Sequence, residues 1–163
     1  MDFLDRISRY LNGILILVAG LFMVGMVLVT CSDVLLRLVW VPIRGSVELV
    51  AYFSAIVTAF ALGYTQMRRG HTSVDVVVNL FPDKVKRTLG GINSLICMVF
   101  FALTAWRIAK WSTTIWETGE VSETLRMIFY PFSYGVSLGC FVLSLVFLTE
   151  LVRALRPHKE MKK

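Results

Sequence analysis

The sequence predicts an all-α integral membrane protein: a single membrane domain over residues 1–163, with four transmembrane helices, both termini in the cytoplasm, and a short interfacial helix between the second and third. Three observations predict it. Hydrophobic residues make up 56% of the chain and charged residues only 17%, with a mean hydropathy of +0.71, whereas a soluble domain is about a quarter charged. Four stretches lack any charged residue over the roughly 20 residues that a helix needs to cross about 30 Å of hydrocarbon. The basic residues fall unevenly between the two sides that these spans define.

The first span runs over residues 10–32, from Tyr10 to Ser32, between Arg9 and Asp33. Asp33 and Arg37 follow one turn apart, acid first, the better order for a helical pair. The second span, 49–67, opens after Gly45-Ser46, where the Ser46 hydroxyl is placed to cap and Glu48 lies where the helix dipole favours a carboxylate. Asp33, Arg37, Arg44 and Glu48 thus form an expected structural charge cluster at the membrane edge, with Arg37 or Arg44 as the partner of Glu48. No carboxylate lies near the centre of a span, the place for an ion-coupling acid.

The connection that follows holds Arg68 and Arg69, then Thr72 to Phe81, in which Val74, Val77, Val78 and Phe81 repeat at helical spacing with Asp75 and Asn79 on another face. This predicts an interfacial helix over 72–81, ended by Pro82. Together Arg68, Arg69, Lys84, Lys86 and Arg87 hold it at the inner leaflet. The third span covers 88–106. A solvated connection continues it outward and carries Glu117, Glu120 and Glu123, an expected contact surface for a partner outside the membrane. The fourth span, 127–149, has Pro131 in its early turns, where proline is tolerated, and the step Gly135-x-x-x-Gly139, which lets another helix approach closely.

Placing the N-terminus inside assigns twelve of the 17 Lys and Arg residues to the cytoplasm and five, Arg37, Arg44, Arg107, Lys110 and Arg126, to the outside. Short cytoplasmic loops carry the excess of positive charge, so N-in, C-in follows. Trp40, Trp106, Trp111 and Trp116 then all lie toward the outer surface, where indole favours the headgroup layer. The basic pI near 9.5 is a topology signal, since no nucleic-acid module accompanies it.

Function classes fall away by the same reasoning. The longest connections are about 20 residues, too short to hold a soluble catalytic core. The two histidines, His71 and His158, lie outside the spans, which removes a haem held by paired axial histidines. No phosphate-binding loop, nucleophile elbow or Cys-x-x-Cys pair occurs, so neither an enzyme nor a cofactor is expected.

Three segments in this order resemble a known family. They are Asp33 to Arg37 closing the first helix, Pro42-Ile43-Arg44-Gly45-Ser46-Val47-Glu48-Leu49 entering the second, and Arg69-Gly70-His71 with Val74-Asp75 and Leu80-Phe81-Pro82 in the inner connection. The sequence resembles, from about Leu11 to Leu155, the small membrane subunit of tripartite ATP-independent periplasmic (TRAP) transporters, the DctQ family. The resemblance implies a scaffold subunit of an importer of organic acids driven by an ion gradient, usually sodium, in a bacterial or archaeal inner membrane. Its implied partners are a large elevator-type permease subunit of the DctM type and a periplasmic substrate-binding protein of the DctP type. Two other classes remain open: an independent four-helix multidrug-type transporter, whose acid would have to be Glu48, and a haem-free membrane anchor of a respiratory complex.

Overall fold

The computed structural model describes residues 2–39, 41–67 and 83–155. They form four helices: α1 (Asp2–Val39), α2 (Ser46–Met67), α3 (Asp83–Thr118) and α4 (Tyr130–Leu155). Each contains a stretch long and apolar enough to cross a membrane: Ser8–Val39, Ser46–Met67, Leu89–Thr118 and Tyr130–Val152. Among the described residues there is no strand, only an isolated bridge between Val121 and Ile128. The expected interfacial helix over 72–81, with Arg68 and Arg69, lies outside the described residues, as does Trp40.

The helices overrun the charge-free spans, because charge marks the edge of the hydrocarbon and does not stop a helix. α1 is 38 residues long and α3 is 36, about 57 and 54 Å at 1.5 Å per residue. α1 continues through Asp33 and Arg37, whose ion pair of 3.0 Å supports the last turns, and stops shortly before Pro42, which disfavours helix in the residue ahead of it. α3 stops at Gly119, which takes a φ of +67°. The Glu120 N–H then bonds the Ile115 carbonyl at 3.3 Å, the Schellman arrangement that satisfies a helix C-terminus.

α4 begins at Tyr130, three positions after the expected start at Met127. The intervening chain is held back: Ser122 N–H bonds the Met127 carbonyl at 3.0 Å, and Arg126, at a φ of +50°, donates its N–H to Ser122 O at 3.0 Å. The Phe129 carbonyl accepts the first helical bonds, from Phe132 at 3.1 Å and Ser133 at 3.4 Å. Pro131 therefore sits in the first turn, where its missing N–H costs no bond.

α4 is the centre of the bundle. It packs along α3 on one side and α2 on another, and touches α1 more briefly, while α1 pairs with α2. The core joins Leu15 and Ala19 of α1, Ile56, Ala59 and Phe60 of α2, and Val142 of α4. Lipid tails are as apolar as these side chains, so burying them gains little from water exclusion; close approach and polar contacts must hold the helices together. The expected glycine step does this. Space for a side chain at Gly139 is closed by Ala59, whose Cβ and carbonyl oxygen lie 2.9 Å from where a Cβ would stand, and Gly135 meets Ile56 at 3.6 Å.

Candidate functional site

The sequence-predicted charge cluster divides into two locks at the end of the bundle where α1 stops and α2 begins. Asp33 faces the connection between α1 and α2: one carboxylate oxygen accepts the Arg37 guanidinium at 3.0 Å and the other accepts the Ile43 N–H at 2.8 Å. Gly45, at a φ of +80°, ends that connection and its carbonyl accepts the Leu49 N–H at 3.2 Å. The cap of α2 is therefore Gly45, and the expected capping by Ser46 does not occur. A side chain at Gly45 would run into Leu125, so both the backbone angle and the space there favour glycine.

Glu48 belongs to the other lock. Its carboxylate accepts the Ser122 hydroxyl, the Thr124 N–H at 3.0 Å and the Leu125 N–H at 3.2 Å. The expectation that Arg37 or Arg44 answers Glu48 is thus corrected: Arg37 is taken by Asp33, and Arg44 is exposed and pairs with neither acid. The partners lie 74 or more positions along the chain, beyond any local pattern. Donors converging on a carboxylate form strong bonds, and here they draw the loop after α3 onto the start of α2. Stacked rings finish the joint, with Tyr52 between Phe129 at 5.8 Å and Phe132 at 5.5 Å, and Trp111 6.2 Å from Phe129.

Glu117, at the end of α3, and Glu120 and Glu123, in the loop that follows, are all exposed. Trp106, Trp111 and Trp116 are exposed along the C-terminal half of α3. Of the basic group expected at the inner leaflet, Lys84, Lys86 and Arg87 fall in the first two turns of α3.

Several polar contacts were not singled out from sequence. At the opposite end of the bundle Gln66 of α2 donates its amide to both oxygens of Glu150 on α4, at 3.1 and 3.0 Å. Asn12 of α1 is fully buried; its amide N–H bonds the Ser8 carbonyl at 2.9 Å, and its carbonyl oxygen occupies the space where Gly63 of α2 lacks a side chain. Among the described residues that oxygen has no hydrogen-bond partner. Between α3 and α4, Ser137 donates to the Ala105 carbonyl at 2.8 Å and Ser144 to the Met98 carbonyl at 3.2 Å. The two serines are seven residues apart, as are the two acceptors, the repeat of an antiparallel helix pair. A seven-residue serine spacing in an apolar helix is a usable signal for such a seam.

Among the described residues, no group of three or more His, Cys, Asp or Glu is placed to hold a metal ion. Asp33, Glu48 and Glu150 hold helices and loops to one another. A family model for the DctQ component of tripartite ATP-independent periplasmic transporters matches residues 26–157, from within α1 to just past α4. No curated protein and no solved structure matches the chain.

Proposed function

Because the chain belongs to the DctQ family of TRAP transporter components, and is accordingly a multi-pass membrane protein of a transport system, we propose that it is the small scaffold subunit of an importer of organic acids driven by an ion gradient, with sodium as the coupling ion. In this reading it broadens the fixed frame of a large elevator-type permease subunit of the DctM type. A periplasmic binding protein of the DctP type delivers the substrate at the face carrying Glu117, Glu120 and Glu123. The termini lie in the cytoplasm of a bacterial or archaeal cell, and the basic inner rim rests on the anionic leaflet of its inner membrane.

The observation that carries this reading is the family match; the bonding of the acids supports it. Asp33, Glu48 and Glu150 are each engaged by other groups of the chain, which suits a rigid frame. A coupling acid inside a transport path must instead be free to exchange its partner for a proton or cation. Each described helix is also continuous, whereas transporter binding sites are commonly built from broken helices. The test is reconstitution. The chain alone in liposomes under a sodium gradient should take up no substrate, and adding the large subunit and the binding protein should restore uptake. Uptake by the chain alone defeats the scaffold reading.

A further inference from the structure

The outward face of α3 carries a polar group at a depth where lipid has nothing to offer it. Asn93 is exposed. It stands five residues beyond Thr88, the start of the charge-free span, about 7.5 Å into the hydrocarbon at 1.5 Å per residue. Its side chain is too short to bring the amide back to the headgroups. The amide oxygen receives only the weak Cys97 thiol at 3.9 Å, and among the described residues its two N–H groups have no acceptor. The Thr30 and Thr104 hydroxyls, by contrast, fold back onto their own helices, to the Met26 and Phe100 carbonyls, each at 2.8 Å. An amide cannot be satisfied that way, because a bond to the Leu89 carbonyl would answer one N–H and leave the other. One turn toward the inner end, Gly90 has nothing within 4 Å of where a side chain would begin, so another backbone can come close.

We infer that the face of α3 bearing Gly90, Asn93 and Cys97 is the docking seam for a transmembrane helix of the large permease subunit, one that presents a hydrogen-bond acceptor at the depth of Asn93. This rests on the scaffold reading, which supplies a membrane partner, and adds where that partner sits. Hydrogen-bonding complementarity selects a protein occupant over lipid, because acyl chains hold no acceptor and polar side chains at this depth pair across helices. The exposed face of α1 offers the contrast: Leu17, Leu21, Val24 and Leu28 make it aliphatic through the middle of the membrane, a surface that lipid satisfies.

The test uses the complex of this chain with the large subunit. Phe100 lies one helical repeat from Asn93 and is exposed. With p-benzoylphenylalanine at Phe100, irradiation should join the chain to the large subunit, while the same group at Leu21 should capture lipid alone. Asn93→Leu should weaken association about tenfold, read as faster loss of the large subunit on dilution, and Asn93→Gln should restore part of it. Capture of lipid only, or of a second copy of this chain, from Phe100 overturns the inference, as does unchanged association of Asn93→Leu. If the unaltered chain fails to hold the large subunit, the scaffold reading falls and takes the inference with it. If it holds the subunit and cross-links only from other faces, the inference alone falls.

Discussion

α1 and α3 flank the bundle in similar ways, each long, strongly apolar and mostly unburied, and each carries one asparagine toward its N-terminal end. Asn12 is turned inward and fully buried, with its amide oxygen pressed against Gly63, whereas Asn93 is turned outward with open space beside it. The same residue type at similar depth therefore does two different things. One fixes how α1 and α2 sit together inside the chain, and the other is left for something outside it. In a membrane, burial is not decided by hydrophobicity, since lipid and protein interior are equally apolar; polar and small side chains carry the information about which faces meet protein.

The same contrast runs through the glycines, and it makes the largest prediction. Gly139 faces the backbone of Ala59 at 2.9 Å, while Gly20 on α1 has nothing within 4 Å. Gly139→Leu should separate α4 from α2 and destabilise the chain by about 3 kcal/mol or more, the upper end of overpacking costs, since backbone cannot give way as a side chain does. Gly20→Leu should change stability by less than about 0.5 kcal/mol. Unfolding of the two variants in one detergent, followed by near-ultraviolet circular dichroism, compares them directly; equal stability breaks the distinction between inner and outer faces.

Next in size is the contact that buries Asn12. Gly63→Val should cost about 1–2 kcal/mol, less than Gly139→Leu because its neighbour is the end of a flexible side chain. Asn12→Ala in the same chain should recover most of that loss, and a double-mutant cycle showing no coupling between the two positions refutes the contact. The serine seam is weaker. Ser137→Ala and Ser144→Ala should each cost about 0.5–1.5 kcal/mol, adding when combined, since the two lie about 10 Å apart along α4. Glu48→Gln should register less on the whole chain, because the carboxylate holds a loop and not two helices. The expected readout is faster cleavage after Glu120 or Glu123 by a glutamyl-specific protease; unchanged cleavage means that the loop stands without it.

The spans were legible because each is bounded by charge, and the order of elements followed from them. Helix ends were less so. α1 and α3 exceed their spans because the interface tolerates helix, and α4 starts late because the pairing of Ser122 with Met127 delays it, a bond that no periodicity announces. At the site, the i, i+4 pair of Asp33 with Arg37 was visible in the sequence, since local spacing determines it. The partners of Glu48 were not, because a carboxylate's charge suggests arginine while the fold delivers a hydroxyl and two backbone N–H groups. Gly135 and Gly139 were visible as a motif, but their partners Ile56 and Ala59 were not. Asn12 and Asn93 look alike in the sequence, and only the packing of α1 on α2 separates them.

The smallest expected effect is the sharpest test of that separation. Asn93→Leu removes an amide whose one hydrogen bond among the described residues is to a thiol, and leucine suits the hydrocarbon at that depth. The chain by itself should therefore unfold as before, within about 0.5 kcal/mol, whatever the same change does to association with a partner. A change at Asn12 alters a buried contact, so it acts on the chain alone. If Asn93→Leu destabilised the isolated chain as much as changes at the Asn12–Gly63 contact do, Asn93 would have to face inward. The two flanking helices would then present the same kind of surface, and the outward face of α3 would have no claim on a protein neighbour.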